Sequence, residues 1–191
     1  MPRQSCHELL LDRCSMMTAT LFPSVLGAQF VALDPCLRWV HSGDSRRLRG
    51  SVTVERGGGV VARMLGVLAS LPAAMWNAPI EVRIEVSKTG EKWVRLFAGR
   101  HLMVSTLKKE GDLLVERLGP ATLKFRLAVR DGTLEWVLEH IAAFGIALPL
   151  KWFRIAATIK ARDGRYHFVV DSELIGVGRI VRYEGLLDAA A

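Results

Sequence analysis

From Pro79 onward the chain is written with a period of two. Ile80, Val82, Ile84 and Val86 share one parity, and Glu81, Arg83 and Glu85 share the other. Side chains alternate across a strand, so this pattern predicts one dry face and one wet face, as in an antiparallel sheet. The rhythm continues through 92–98, 101–107, 113–118 and 123–129, with turns at Thr89-Gly90, Gly99, Lys108–Asp112 and Gly119-Pro120. Upstream, Leu48–Arg56 is rich in Val and Thr and predicts a further strand. Downstream, the runs 152–161 and 166–171 flank Asp163-Gly164, a strong hairpin signal, and 177–184 supplies the last strand.

Three segments carry helical spacing instead. Phe30, Leu33, Leu37 and Val40 predict a helix from Pro23 to His41, kinked or divided at Pro35. Val61, Met64, Leu65 and Leu68 form a stripe on a helix from Val60 to Leu71, stopped by Pro72. Leu134, Val137, Leu138, Ile141 and Phe144 predict a third helix, with Thr133 as its N-cap and Gly145 as its C-terminal cap. The fold class is therefore α+β: a curved, mainly antiparallel sheet or partly closed barrel of about nine strands with three helical segments. The helices would plug or cover the curl.

The chain has 191 residues, enough for one domain, expected over 21–188 behind an N-terminal extension at 1–20, with Met16 or Met17 as alternative starts. Apolar residues make up 50% and charged residues 24%, which excludes a disordered or collagen-like chain. Lys and Arg number 26 against 19 acids, but the +7 excess is spread along the chain. Arg46, Arg47 and Arg49 are its densest cluster, and no nucleic-acid motif accompanies them, so no nucleic-acid partner is expected. Cys6, Cys14 and Cys36 match no metal spacing, and the odd count fits a reducing, cytoplasmic setting with Cys36 in the core. The run Cys14–Leu33 has no charge in 20 residues, yet Ser, Thr, Gly, Gln and Pro dilute it and Glu8 and Asp12 precede it. Neither a membrane span nor a signal peptide is expected.

Candidate chemistry is sparse. Trp93, Arg95 and Phe97 share one strand face. If that face is inward, Arg95 is an interior charge that needs a partner, and Glu116 is the nearest candidate. The pair is structural or holds a ligand's carboxylate or phosphate. His41 and His101 are weak candidates for acid–base work with Glu116. The ligand-binding set is Trp93, Arg95, Phe97, Glu116, His41 and Arg56. The segment Gly57-Gly58-Gly59-Val60-Val61-Ala62 fits a G-x-G-x-x-A phosphate loop, but antiparallel strands follow it, so a plain turn is favoured and no cofactor is expected. No histidine pair has metal-site spacing, no metal is expected, and no nucleophile elbow is present. Of the five tryptophans, Trp136 reads as the edge of its helix.

Several short stretches resemble a mostly bacterial family of unknown function, number four-one-six-six in its series. They are His41, Val54-Glu55-Arg56-Gly57, Trp93-Val94-Arg95-Leu96-Phe97, Glu116-Arg117-Leu118-Gly119, Leu148-Pro149 and the closing run from Gly178 to Leu187. Leu186 stands where the family pattern has Trp. The resemblance supplies no activity. Its members stand alone or lie behind a saccharopine-dehydrogenase-like reductase domain, so it implies a stand-alone version. Three functions are expected in order: a binding module for a small, largely apolar molecule with room for an acidic head; an enzyme using a His/Glu pair; and an accessory domain docking on a reductase.

Overall fold

The computed structural model describes residues 20–189. The expected extension at 1–20, with Cys6, Cys14, Met16 and Met17, lies outside them except for Thr20. The chain begins with helix α1 (Leu21–Leu26), a 3-10 turn (Gly27–Ala32) and helix α2 (Pro35–His41). Pro35 opens the second helix, where its missing N–H costs nothing, and the Asp34 side chain accepts from Cys36 N at 2.8 Å as the N-cap. Strand β1 (Arg46–Arg56), helix α3 (Val60–Leu68), β2 (Met75–Ser87), β3 (Gly90–Phe97), β4 (His101–Glu110), β5 (Leu113–Leu118) and β6 (Ala121–Arg130) follow. The chain then runs through β7 (Thr133–Ala143), the short β8 (Ile146–Ala147), β9 (Phe153–Arg162), β10 (Arg165–Leu174) and β11 (Gly178–Ala189).

Each long strand pairs antiparallel with its neighbours in sequence, skipping only β8, and β1 pairs with β11. The pairing of β6 with β7 completes a closed ring of ten strands, with β8 as an appended hairpin. Closure removes the free edges that a meander would otherwise expose. It also decides the interior: eight strands enclose little more than their own side chains, and a tenfold ring is wider.

The third expected helix is a strand. In β7, Leu134, Trp136, Leu138 and Ile141 turn toward the core. Opposite the Lys124–Phe125 step the register slips by one residue, so the inward phase passes from Leu138 to Ile141. This β-bulge gives apolar residues a spacing of two, two, then three, which imitates a helical stripe. Asp131 (φ 48°) and Gly132 (φ 73°) make the tight hairpin turn before it, like Asp163 and Gly164 later. β7 is thus the tenth barrel strand beyond the nine expected.

The strands run alternately between two ends. β1 leads away from α2 and toward α3, so one end carries α1 and α2 and the other carries α3. The first end is plugged: Phe22 and Leu37 have no exposed surface, and the Asp34 N–H donates to Gly132 O at 3.2 Å. Cys36 is buried there, as expected. α3 is shorter than expected and buries only Ala62 and Gly66. The outer wall carries ion pairs, such as Arg47, Arg49 and Arg83 around Glu81, while the interior is apolar. That is the reverse of a membrane-spanning barrel. No helix among the described residues is long and apolar enough to cross a membrane.

Candidate functional site: an apolar cavity with a buried ion pair

A cavity of about 230 Å³ occupies the interior toward the α3 end. Its walls come from around the ring, including Phe125, Trp136, Ile159 and Phe168, and its mouth is formed by Leu65 and Leu68 of α3 with Phe144. Leu68 and Phe144 are also exposed, so the cavity opens to the surface between α3 and the β7–β8 turn.

Polar groups enter this space mainly from β3 and its neighbours. The face of β3 that carries Glu91, Trp93, Arg95 and Phe97 points inward, and all four are buried. Arg95 Nη1 donates to Ser105 Oγ at 2.9 Å, and Nη2 reaches Glu116 Oε1 at 3.4 Å. Glu116 is on β5, two strands away, so the guanidinium reaches across the intervening β4, where it bonds Ser105 on the way. The Arg95 guanidinium also lies 5.1 Å from the centre of the Trp93 ring, a cation–π distance. Arg95, Glu116 and Trp93 all line the cavity.

The other candidates are placed differently. His41 is fully enclosed at the plugged end, 4.0 Å from the Phe22 ring, with Nε2 3.2 Å from Tyr166 Oη. Burial lowers its pKa to about 3, so it is a neutral ring at ordinary pH. It does not line the cavity, and its partner is Tyr166, not Glu116. His101 sits at the other end, with Nε2 2.9 Å from Ser70 O. Neither histidine forms a hydrogen bond with Glu116. Phe97 is completely buried against the rings of Tyr183 and His101. Arg56 lies beneath α3, donating to Ala62 O at 3.4 Å and Pro72 O at 3.5 Å. Gly66 lies against that contact: a Cβ there would meet Arg56 Nη2 at 1.4 Å and displace the guanidinium. Gly57–Gly59 form a turn into α3, and with every strand pair antiparallel the segment has no parallel crossover to build a dinucleotide site.

Glu91, Tyr166, Tyr183 and the wall position of Trp136 lie beyond the expected set. Glu91 Oε2 accepts from Trp93 Nε1 at 2.8 Å. Burial raises its pKa to about 7, and the Trp93 hydrogen bond only partly opposes this. Because the folded state binds this proton more tightly than the unfolded chain, Glu91 costs stability as pH rises from about 4.5 to about 7 and a constant amount above. Glu91→Gln keeps an acceptor for Trp93 and removes the charge. It is expected to raise the unfolding free energy by about 2 kcal/mol at pH 8 and to change little at pH 4, read by urea denaturation.

A second depression, about 320 Å³, lies on the outer wall beside β1 and β11. There His167 Nε2 is 2.9 Å from Glu184 Oε1, and Arg182 is 3.0 Å from the same carboxylate's other oxygen. His167, Arg182 and Glu184 are engaged with one another there, and the depression is separated from the cavity by the sheet. Among the described residues no three potential ligands converge on a metal position.

Fold and site together define a class: a closed antiparallel barrel, plugged by helices at one end, with an apolar cavity open at the other. The profile of a domain of unknown function, DUF4166, matches residues 33–187, and the chain belongs to that family. No curated protein matches the chain.

Proposed function

We propose that this protein is a binding module for a small, largely apolar molecule that carries one polar head. The observation that supports the reading is the cavity itself: a greasy interior, plugged at one end, open at the other, with the Arg95–Ser105–Glu116 cluster as its main polar feature. Pockets of this kind take orientation from a few polar groups and affinity from apolar burial. Arg95 is only loosely held by Glu116 at 3.4 Å, so a head that accepts a hydrogen bond competes for its guanidinium.

The test is native mass spectrometry of the purified protein, followed by titration with two environment-sensitive apolar fluorophores, one neutral and one bearing a carboxylate. Uptake of at least one with a dissociation constant on the order of 1 μM is expected. Ala157 lines the cavity opposite Trp136 in the β7–β9 register. Ala157→Phe places a ring in the empty space and is expected to weaken uptake by at least about tenfold while the fold is kept. A barrel that purifies empty and takes up neither probe overturns the proposal.

A further inference from the structure

The two ends of the barrel differ in charge as well as in closure. At the open end the connections are 57–74, 98–100, 119–120, 144–152 and 175–177. Their only Lys, Arg, Asp or Glu residues are Arg63, Arg100 and Lys151. None of these three forms an ion pair with a described carboxylate. The strand-to-strand and helix-to-strand connections at the plugged end carry Asp44, Asp112, Asp131 and Asp163 against Lys88. Tight-turn chemistry accounts for the aspartates at that end. It does not account for the absence of any acid at the other.

The same connections hold the exposed apolar residues. Of the sixteen large apolar side chains exposed among the described residues, eleven stand on them. Val67 on α3 is 79% exposed and Phe144 at the mouth 70%. Val60, Met64, Trp152 and Ile175 widen the patch. Exposed apolar residues scattered singly are ordinary, but a ring of them around a cavity mouth is not. α3 contributes most, because its buried side is only Ala62 and Gly66 lying over the Arg56 side chain.

An apolar ring whose connections carry three cations without ion-pair partners and no carboxylate, with Glu55 and Glu173 set back in the strand ends and Glu55 paired with Arg179, is complementary to one kind of surface. We infer that the open end docks on an anionic phospholipid bilayer, with α3 and the β7–β8 turn set among the headgroups and Arg63, Arg100 and Lys151 facing lipid phosphates and carboxylates. The basic–apolar combination is that of interfacial helices, and Trp152 suits the headgroup boundary. Docking in this orientation turns the cavity mouth toward the membrane. The inference goes beyond the binding-module reading and shares only the mouth with it.

The test is co-sedimentation of the full chain with phosphatidylcholine–phosphatidylserine vesicles and with pure phosphatidylcholine vesicles. Binding to the anionic vesicles that weakens with salt is expected, with little binding to the neutral ones. Arg63→Gln combined with Lys151→Gln should lower partitioning by about 30-fold. Met64→Asp combined with Val67→Asp, both on the exposed face of α3, should abolish it. Fluorophore uptake in vesicle-free solution is measured on the same variants, which should retain it and so prove themselves folded. Docking is overturned by equal binding to both vesicles, by no binding to either, or by variants that sediment like the parent. It is also overturned if the patch instead drives self-association that Met64→Asp/Val67→Asp removes. A parent protein that takes up fluorophore but binds neither kind of vesicle sinks this inference alone, and a parent that binds anionic vesicles without taking up either fluorophore sinks the binding-module proposal alone.

Discussion

Arg95→Met is expected to lower the unfolding free energy by about 3–4 kcal/mol, and the double variant Arg95→Met/Glu116→Leu to regain most of that loss. Arg95 and Glu116 are only 8% and 9% exposed. Removing the guanidinium strands the carboxylate inside a barrel whose other walls are apolar, and the penalty is that of an unpaired buried ion. Removing both ions leaves two apolar side chains in an apolar place. At 3.4 Å the ion contact is long for a charge-assisted bond, so the coupling itself is weak and the stranded charge dominates the single variant. Urea denaturation of the parent, both single variants and the double variant measures this as a cycle. A single variant costing under about 1 kcal/mol would show that water reaches the pair and that the cluster is not desolvated. If Arg95 orients a head group, the double variant should still take up the neutral fluorophore and lose its preference for the carboxylate-bearing one.

The second large effect is acid sensitivity. His41 is depressed from 6.5 to about 3 by burial alone, so the unfolded chain binds its proton more readily than the fold does. The stability this provides is complete above about pH 6.5 and is lost as pH falls toward 3. Between about 4.5 and 6.5 the trend is offset by Glu91, whose linkage has the opposite sign. Below about pH 4.5 the Glu91 offset is gone, and the histidine contributes roughly 1.4 kcal/mol per pH unit, beside a screened surface contribution from carboxylates such as Glu81, which its arginines hold down at about 2. A plateau followed by a steep acid limb is the expected profile. His41→Phe should flatten the limb below pH 4.5, though at neutral pH it costs about 1 kcal/mol by stripping Tyr166 of its hydrogen bond. An acid limb unchanged in His41→Phe would assign it to the surface carboxylates instead.

Much of this architecture is legible in the residues, and the failures have physical causes. Strict alternation marks a strand that keeps its register, which is why β2 through β6 and the β9–β10 hairpin can be read directly. β7 cannot, because its bulge shifts the inward phase by one residue and converts a period of two into something near 3.6. With β7 misread, the closing β6–β7 ladder disappears, Trp136 looks like a helix edge, and the ring is short by one strand. The burial of Arg95 follows from its sharing a face with Trp93 and Phe97. The same parity extends to Glu91, so its burial was within reach. Ser105 carries no local signal, yet it accepts from Arg95 on the way across to Glu116, and strand order is not written in local pattern. Chemical type groups His41 with Glu116, whereas the plug places it beside Phe22 and Tyr166. Only tertiary placement distinguishes these.

The ladder between β1 and β11 joins the first and last strands of the ring. During synthesis β1 emerges before every other strand of the ring, and its outer edge stays unpaired until β11 has left the ribosome. An open edge of that kind recruits other strands, and pairings this distant in sequence form slowly. Along that waiting edge Arg47 and Arg49 share the single carboxylate of Glu81 with Arg83, so the stretch keeps a positive excess. That excess discourages two nascent chains from zipping together before the ring can shut.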